Sequence, residues 1–408
     1  MKDIQVLLLA GGIGRRMWPI KTNKNLLTFF GKPLIVHQLE TLSQAGFTDL
    51  IVVVNPEIKN AVEKLGFKAK IAVQEKALGQ GDAILAAARM IDKNKPLLVV
   101  NANDFFRLSL LAEIRRRFND QLDALLVSQR TKQYFPGGYL LVDAGQVKAM
   151  VEKPEPGTEP SDLVKLVLDF FREPAVLMDY ISKVKKTNVS YESALDAMMK
   201  DGRSFGLVEY AGPWVTIKKP EHILDTAAFF LKERQKPAVV KAEGVKIFSG
   251  AVVKNSYLGE GVVIGNQALV RDSIIEAGSV VGFSAEVARS YIGPNCWFHA
   301  NYIGDSILEG NNSFGSGART ANLRLDEKEI VPGRVKLGAI VGVNSRVGIN
   351  ASLMPGVKIG SNSFVGPGLI LKDDLVDNQF SYLQQAIVQK KNQARFNLNN
   401  REEFRKKL

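Results

Sequence analysis

The chain of 408 residues contains one cysteine, Cys296, and three histidines, His37, His222 and His299. A lone thiol excludes an intrachain disulfide and suits a reducing compartment, so a cytoplasmic location is expected. No apolar stretch approaches the roughly 20 residues that a membrane-spanning helix needs. The opening run is interrupted by Gln5 and ends in Gly11-Gly12, unlike a signal-peptide cleavage site. No dense basic run precedes the C-terminal tail, and aromatic residues are not interleaved with basic ones as on a nucleic-acid platform. Neither a membrane nor a nucleic acid is an expected partner.

What is present is an ordinary globular composition, 46% hydrophobic and 24% charged, which excludes disordered and fibrous classes. The length implies two or three domains. Lys and Arg outnumber Asp and Glu by 54 to 42, a net charge of +12, which favours small phosphorylated ligands.

Residues 1–232 alternate buried-strand patterns ("IQVLLLA", "DLIVVVN", "PLLVVNAND") with helical ones ("PLIVHQLETLSQAG", "GDAILAAARMIDKN"). This predicts an α/β, doubly wound parallel sheet of Rossmann-like type, with ligands beyond the carboxyl ends of the strands. A helix at 220–236 leads to a linker over 233–244. Over 245–372 the period becomes six: Val252, Leu258, Ile264 and Val270, then Val335, Val341, Val347, Leu353, Ile359, Val365 and Leu371. Such hexapeptide repeats predict a parallel β-helix, its aliphatic residues pointing inward. The polar stretch 320–334 interrupts the period and reads as a loop leaving the coil. The tail, 373–408, contains a possible strand or helix ("FSYLQQAIVQ") and a solvated basic end.

The first strand breaks into "AGGIGRR", where glycine lets backbone N–H groups approach phosphate oxygens, with Arg16 and Lys24 close behind. The stretch "LLLAGGIGRRMWPIKTNKNLL…GKPLI" resembles the signature of the sugar-1-phosphate nucleotidylyltransferases. Further matches follow in order: "QEKALGQGDA", "NANDFF", "FPGGYLLVDAGQVKAMVEKPEPG" and "WVTIKKPEHIL". The resemblance implies that Leu9, Ala10, Gly11, Gly12, Gln74 and Gly79 cradle a nucleoside triphosphate. It puts Arg16 on the leaving pyrophosphate, Lys24 on the sugar phosphate, Mg²⁺ on Asp104, and the sugar on Gly138, Glu152 and Lys153. Departures from the pattern are Arg15, Asn23, Gln80 and Asn103, with Lys165 and Val167 at the sugar. Thr216 replaces a second metal-ligating Asp.

Within the repeat, "FHANYIGDS" followed by "TANLRLDEKE" resembles the acetyltransferase domain of archaeal-type bifunctional UDP-N-acetylglucosamine pyrophosphorylases, whose coil is a left-handed β-helix. The resemblance implies His299 as general base toward an amino-sugar amine, with acetyl-CoA as co-substrate. It implies Tyr302, Asn322 and Lys328 as sugar-phosphate contacts, and Ser316 and Ala339 as backbone contacts to the coenzyme. Ser313 and Ala318 depart from the pattern. A homotrimer is implied, with the acyl site between neighbours. The expected function is N-acetylation of glucosamine-1-phosphate or its galacto isomer, followed by nucleotidyl transfer, with UTP the favoured donor. The alternatives are acetyl transfer alone, a different NDP-sugar pyrophosphorylase (glucose or mannose), and a non-catalytic scaffold. His37 and His222, in expected helices, read as surface or packing residues.

Overall fold

The computed structural model describes residues 3–118, 121–233, 239–395 and 399–407. In the first domain, the apolar runs become strands covered on both faces. Along Gln5–Leu9, Val6 and Leu8 enter one core while Leu7 and Leu9 enter the other. Among the described residues nine strands form one sheet, in the order 70–73, 49–54, 5–9, 97–101, 163–171, 124–130, 205–209, 146–152 and 138–143. The first four are mutually parallel. The sheet then turns mixed: Leu163–Phe171 runs antiparallel to both of its main neighbours, and Gln146–Glu152 pairs antiparallel on both edges. The expected parallel pairing holds throughout the nucleotide half, while in the mixed half Phe205–Glu209 is again parallel to Ala124–Arg130. An apolar run carries no mark of strand direction.

The second domain is a coil of parallel strands in three sheets, whose pairing runs from Val240 to Ser381. It thus begins inside the expected linker, part of which lies outside the described residues, and enters the expected tail. Residues 382–395 are exposed, and a helix spans Asn399–Arg405. The inward aliphatic column includes Leu258, Ile264, Val270, Val341, Val347, Leu353, Ile359, Val365 and Leu371. Val252 and Val335 do not join it; both are exposed. Val335 belongs to the loop. Val252 fails because the early coils hold 17 residues, Leu258 pairing with Ile275 and Ile275 with Ile292, so the spacing slips by one per coil and Val253 pairs with Val270 instead. The slip falls beside corners occupied by Asn255, Asp272 and Arg289, all with positive φ. Buried hydroxyls stack inside these corners: Ser256, Ser273 and Ser290 each accept from the backbone N–H of the serine one coil on.

The two domains share a core. Phe29, Ile223, Leu224 and Leu231 pack with Tyr257, Ile274, Tyr291 and Ile340, and the Tyr291 hydroxyl donates to the Thr28 carbonyl at 2.8 Å. Glu309 Oε1 accepts from the backbone N–H groups of Lys21 (2.9 Å) and Thr22 (2.6 Å) and from the Thr22 hydroxyl (2.8 Å). The coil thus grips the segment leading to Lys24. Among the described residues, no helix is long and apolar enough to cross a membrane.

Candidate active site

At the carboxyl end of Gln5–Leu9 the chain enters the glycine loop, and three asparagines tie down its carbonyls. Asn25 donates to Ala10 O (3.0 Å), Asn55 to Gly11 O (3.4 Å) and Asn23 to Gly12 O (3.1 Å). Among the described residues, the backbone N–H groups of Gly11 through Arg16 have no partner within the chain. Gly14 takes the left-handed conformation (φ 63°), which a side chain would strain. The result is a run of fixed, unpaired donors, the arrangement that binds phosphate oxygens. A Cβ on Gly11 would fall 2.5 Å from Gln74 Oε1. Gln74 is itself oriented by donating to Gly79 O and Asp82 Oδ2.

These groups line a cavity of about 390 Å³ with Leu9, Lys24, Gln80, Asn101, Asn103, Asn188 and Lys218. Leu9, Gly11, Gly12, Arg16, Lys24, Gln74 and Gly79 are thereby brought together; Ala10 is buried behind them. Among the described residues, neither Arg15 nor Arg16 has an ion-pair partner, and both are exposed at the rim. The Lys24 ammonium donates to Ile217 O at 3.2 Å. Burial holds its pKa down to about 8, against the pull of Asp104.

Asp104 is buried where two short strands meet, and in their antiparallel register Thr216 stands opposite it. Burial pushes its carboxyl up, opposed by the Thr216 hydroxyl and by Lys218 and Lys24. Magnesium demands several oxygen donors in near-octahedral array. Asp104 offers one unpartnered oxygen, Oδ1. The Thr216 hydroxyl, where a second donor is needed, bonds Asp104 and accepts from Asn103 at 3.1 Å. Among the described residues no cluster of three or more acidic, histidine or cysteine side chains surrounds the position. The protein groups alone do not complete a magnesium shell: among the described residues Asp104 Oδ1 is the one free carboxylate oxygen at this position, so an ion held there would take its remaining ligands from substrate phosphates and water.

Gly138 and Glu152 face each other across a hairpin, where a Cβ on Gly138 would lie 3.1 Å from Glu152 Oε2, and Glu152 pairs with Lys153 at 2.7 Å. These three meet one another but are not walls of the cavity. Lys165 is buried, its ammonium 2.5 Å from Asp169 Oδ2, which also accepts from the Tyr191 hydroxyl at 2.6 Å. Lys165 is therefore committed to an internal network, while Val167 is half-buried against the same core as Tyr191. Lys218 was missed in the sequence: "IKKPE" looks like a solvated pair, and only the fold turns its first lysine into the cavity.

In the second domain, Gly265, Gly282, Gly315, Gly348 and Gly366 stack at one corner, where a Cβ would strike backbone of the next coil in each case. His299 stands in this column between Gly282 and Gly315. Its coil is one residue shorter than the one before: Val281 pairs with Phe298, and Phe298 with Phe314. Asn301 closes the gap, accepting from the His299 N–H (2.7 Å) and donating to Gly315 O (2.8 Å) and Ala318 O (2.9 Å). The imidazole is left exposed. Three residues on, the Tyr302 hydroxyl accepts from Asn322 Nδ2 at 3.3 Å, and Asn322 also donates to Asp305. Arg289 forks onto both Asp305 oxygens at 2.7 and 2.6 Å. Arg289, Asn301 and Asp305 were not singled out in the sequence, although "HANY" and "GDS" contain the last two. Lys328 is exposed further along the loop, without a side-chain contact to this group. Ser316 is exposed at the His299 corner. Ala339 lies buried at a different corner, its N–H on Ser306 and its carbonyl taken by Ile307. Cys296 is buried and its thiol pushed up to about 12 by burial, so it is no nucleophile. His37 and His222 are part-buried, bonded to the Phe29 and Thr216 carbonyls.

Comparison with known proteins places this geometry among relatives. The sequence profile of the nucleotidyl transferase family matches residues 5–233. A bifunctional sugar-1-phosphate nucleotidylyltransferase/acetyltransferase of Sulfurisphaera tokodaii is 31% identical, over 92% of this chain and 99% of that protein. The bifunctional protein GlmU of Methanococcus maripaludis is 32% identical, over 94% of this chain and 98% of its own. A mannose-1-phosphate guanylyltransferase catalytic subunit beta of Xenopus tropicalis is 27% identical over 57% of this chain and 66% of its own.

Proposed function

The chain belongs to the nucleotidyl transferase family, and on that footing we propose that it makes a nucleoside-diphosphate N-acetylhexosamine in two steps. The second domain transfers acetyl from acetyl-CoA to glucosamine-1-phosphate or galactosamine-1-phosphate. The first joins the product to a nucleotidyl group from UTP. The observation that carries the reading is the run of unpaired N–H groups from Gly11 to Arg16 beside Lys24.

In the acetyl step the amine lone pair attacks the thioester carbonyl, His299 takes the amine proton, and the C–S bond breaks to release coenzyme A. Tyr302 and Asn322 orient the amino sugar, and Lys328 joins them from the loop or from a neighbouring copy in a trimer. Ser316 lies at the His299 corner, where the coenzyme runs. In the nucleotidyl step a phosphate oxygen of the sugar attacks the α-phosphorus and the α–β bridging bond breaks. Charge gathers on pyrophosphate, held by the loop N–H groups and Arg16, while Lys24, on the wall of the same cavity, offsets the triphosphate's charge and steers the incoming sugar phosphate. No proton need move and no covalent intermediate forms. Gly138, Glu152 and Lys153 are assigned to the sugar, and Cys296, a lone buried thiol, suits a cytoplasmic enzyme.

Two assays test the reading. Pyrophosphate release is measured with the four nucleoside triphosphates and a panel of hexose- and hexosamine-1-phosphates, Lys24→Met serving as blank. Thiol release from acetyl-CoA with each amino sugar phosphate tests the second step. Release of both products supports the reading; absence of pyrophosphate with every pair overturns the first domain's part.

A further inference from the structure

We propose that Lys218 is a third phosphate-binding cation of the nucleotide cavity, and that with Arg16 and Lys24 it lets the triphosphate bind without a divalent ion. The inference rests on the nucleotidyl-transfer reading and concerns how that same site neutralises its ligand.

Lys218 is placed by the strand Trp214–Thr216, which pairs antiparallel with Asp104–Phe106, and by Ile217, which is fully buried and donates its N–H to Asn103 O at 3.2 Å. The next residue emerges at the end of this pair, where its N–H donates to His222 Nδ1 at 3.2 Å. Its side chain lines the cavity opposite the glycine loop. The side chain is half-buried, and among the described residues its ammonium has no carboxylate within ion-pair distance, although Asp104 and Glu152 both act on it electrostatically. It donates to Pro136 O at 3.3 Å and lies 4.0 Å from the Phe135 ring centroid, and among the described residues it makes no ion pair. Two of its three protons remain to be satisfied. A cation on the wall of this cavity, beside Arg16 and Lys24 and with donors free, is placed to take the oxygens of an anion.

The charges agree. Asp104, buried behind the cavity, acts electrostatically on Lys24 and Lys218, and Arg16 acts on both lysines. Thr216, where a second carboxylate would hold a metal, is neutral and engaged. The chain thus has a neutral hydroxyl where a second metal-binding carboxylate would stand and a cation two residues on, and an ammonium serves a phosphate oxygen as a point charge.

The test is UTP binding to the full chain by calorimetry, in excess EDTA and in excess magnesium. Binding is expected in both, with affinities that differ by less than about tenfold. Lys218→Met lowers the affinity in EDTA by about ten- to a hundredfold, the range for one charge-assisted contact. Lys218→Arg recovers part of it. Lys219→Met, whose ammonium is 3.9 Å from Glu221, leaves it unchanged. UTP binding that requires magnesium, or a Lys218→Met protein that binds normally in EDTA, overturns the inference and leaves the transferase reading standing. No binding of UTP or ATP under either condition overturns both.

Discussion

At the scale of single residues, the nucleotide cavity is defined by close approaches that tolerate little change. Gly11→Ala would set a methyl carbon 2.5 Å from Gln74 Oε1 and push the loop or the glutamine aside. UTP affinity is expected to fall by about tenfold or more, with little loss of thermal stability, because the clash lies at the cavity wall; calorimetry and a melting curve check it. Lys24 supplies a pH signature. Its pKa is lowered to about 8 in the folded chain, so it sheds its proton there while an unfolded lysine holds it to about 10.4. Between those values the unfolded state binds more protons, and this group makes the ligand-free protein more stable as pH rises. Triphosphate binding needs the ammonium, so affinity should move oppositely and fall above about pH 8, by up to tenfold per pH unit for each recaptured proton. UTP titrations at several pH values check the slope. The glycines and Arg16 were legible in the sequence because phosphate chemistry needs them in that order. Lys218 was not, since its place on the cavity wall, which singles it out, is a property of the fold.

Among the elements, the segment from Met17 to Lys24 is held from outside its own domain. Glu309 Oε1 receives three donors from Lys21 and Thr22, while its other oxygen accepts from Val343 N–H at 3.0 Å. Glu309→Ala strands those donors at the interface and is expected to cost about 2–3 kcal/mol of stability, read by denaturant unfolding. It should also lower pyrophosphate release, because the segment it frees carries Lys24, while thiol release at the distant His299 corner is retained. The coil shows what pattern reading resolves and what it does not. A six-residue period marks the β-helix, yet a coil of 17 residues breaks that period once per turn, so Val252 fell out of register while Leu258 and Ile264 held. The corner at His299 was visible as "FHANY"; that Asn301 substitutes for a missing residue there depends on hydrogen bonds between coils, which no local pattern records. Likewise, Leu163–Phe171, interrupted by Lys165 and Asp169, was not among the strands read from the sequence, and nothing local marks it as antiparallel.

For the whole molecule, the shared core of Phe29, Leu224, Tyr257 and Tyr291 joins the two sites into one body. Both sites are expected to work on one substrate in sequence, and that coupling can be measured. It is tested most directly by incubating the full chain with glucosamine-1-phosphate, acetyl-CoA and UTP, and following free thiol, pyrophosphate and the sugar nucleotide by mass spectrometry. The expected result is one thiol and one pyrophosphate per N-acetylated sugar nucleotide. With His299→Ala, thiol release should fall by about 10²- to 10⁴-fold, while pyrophosphate release from preformed N-acetylglucosamine-1-phosphate continues. Thiol release without any sugar nucleotide, from either the amino sugar or its preacetylated form, would contradict the account.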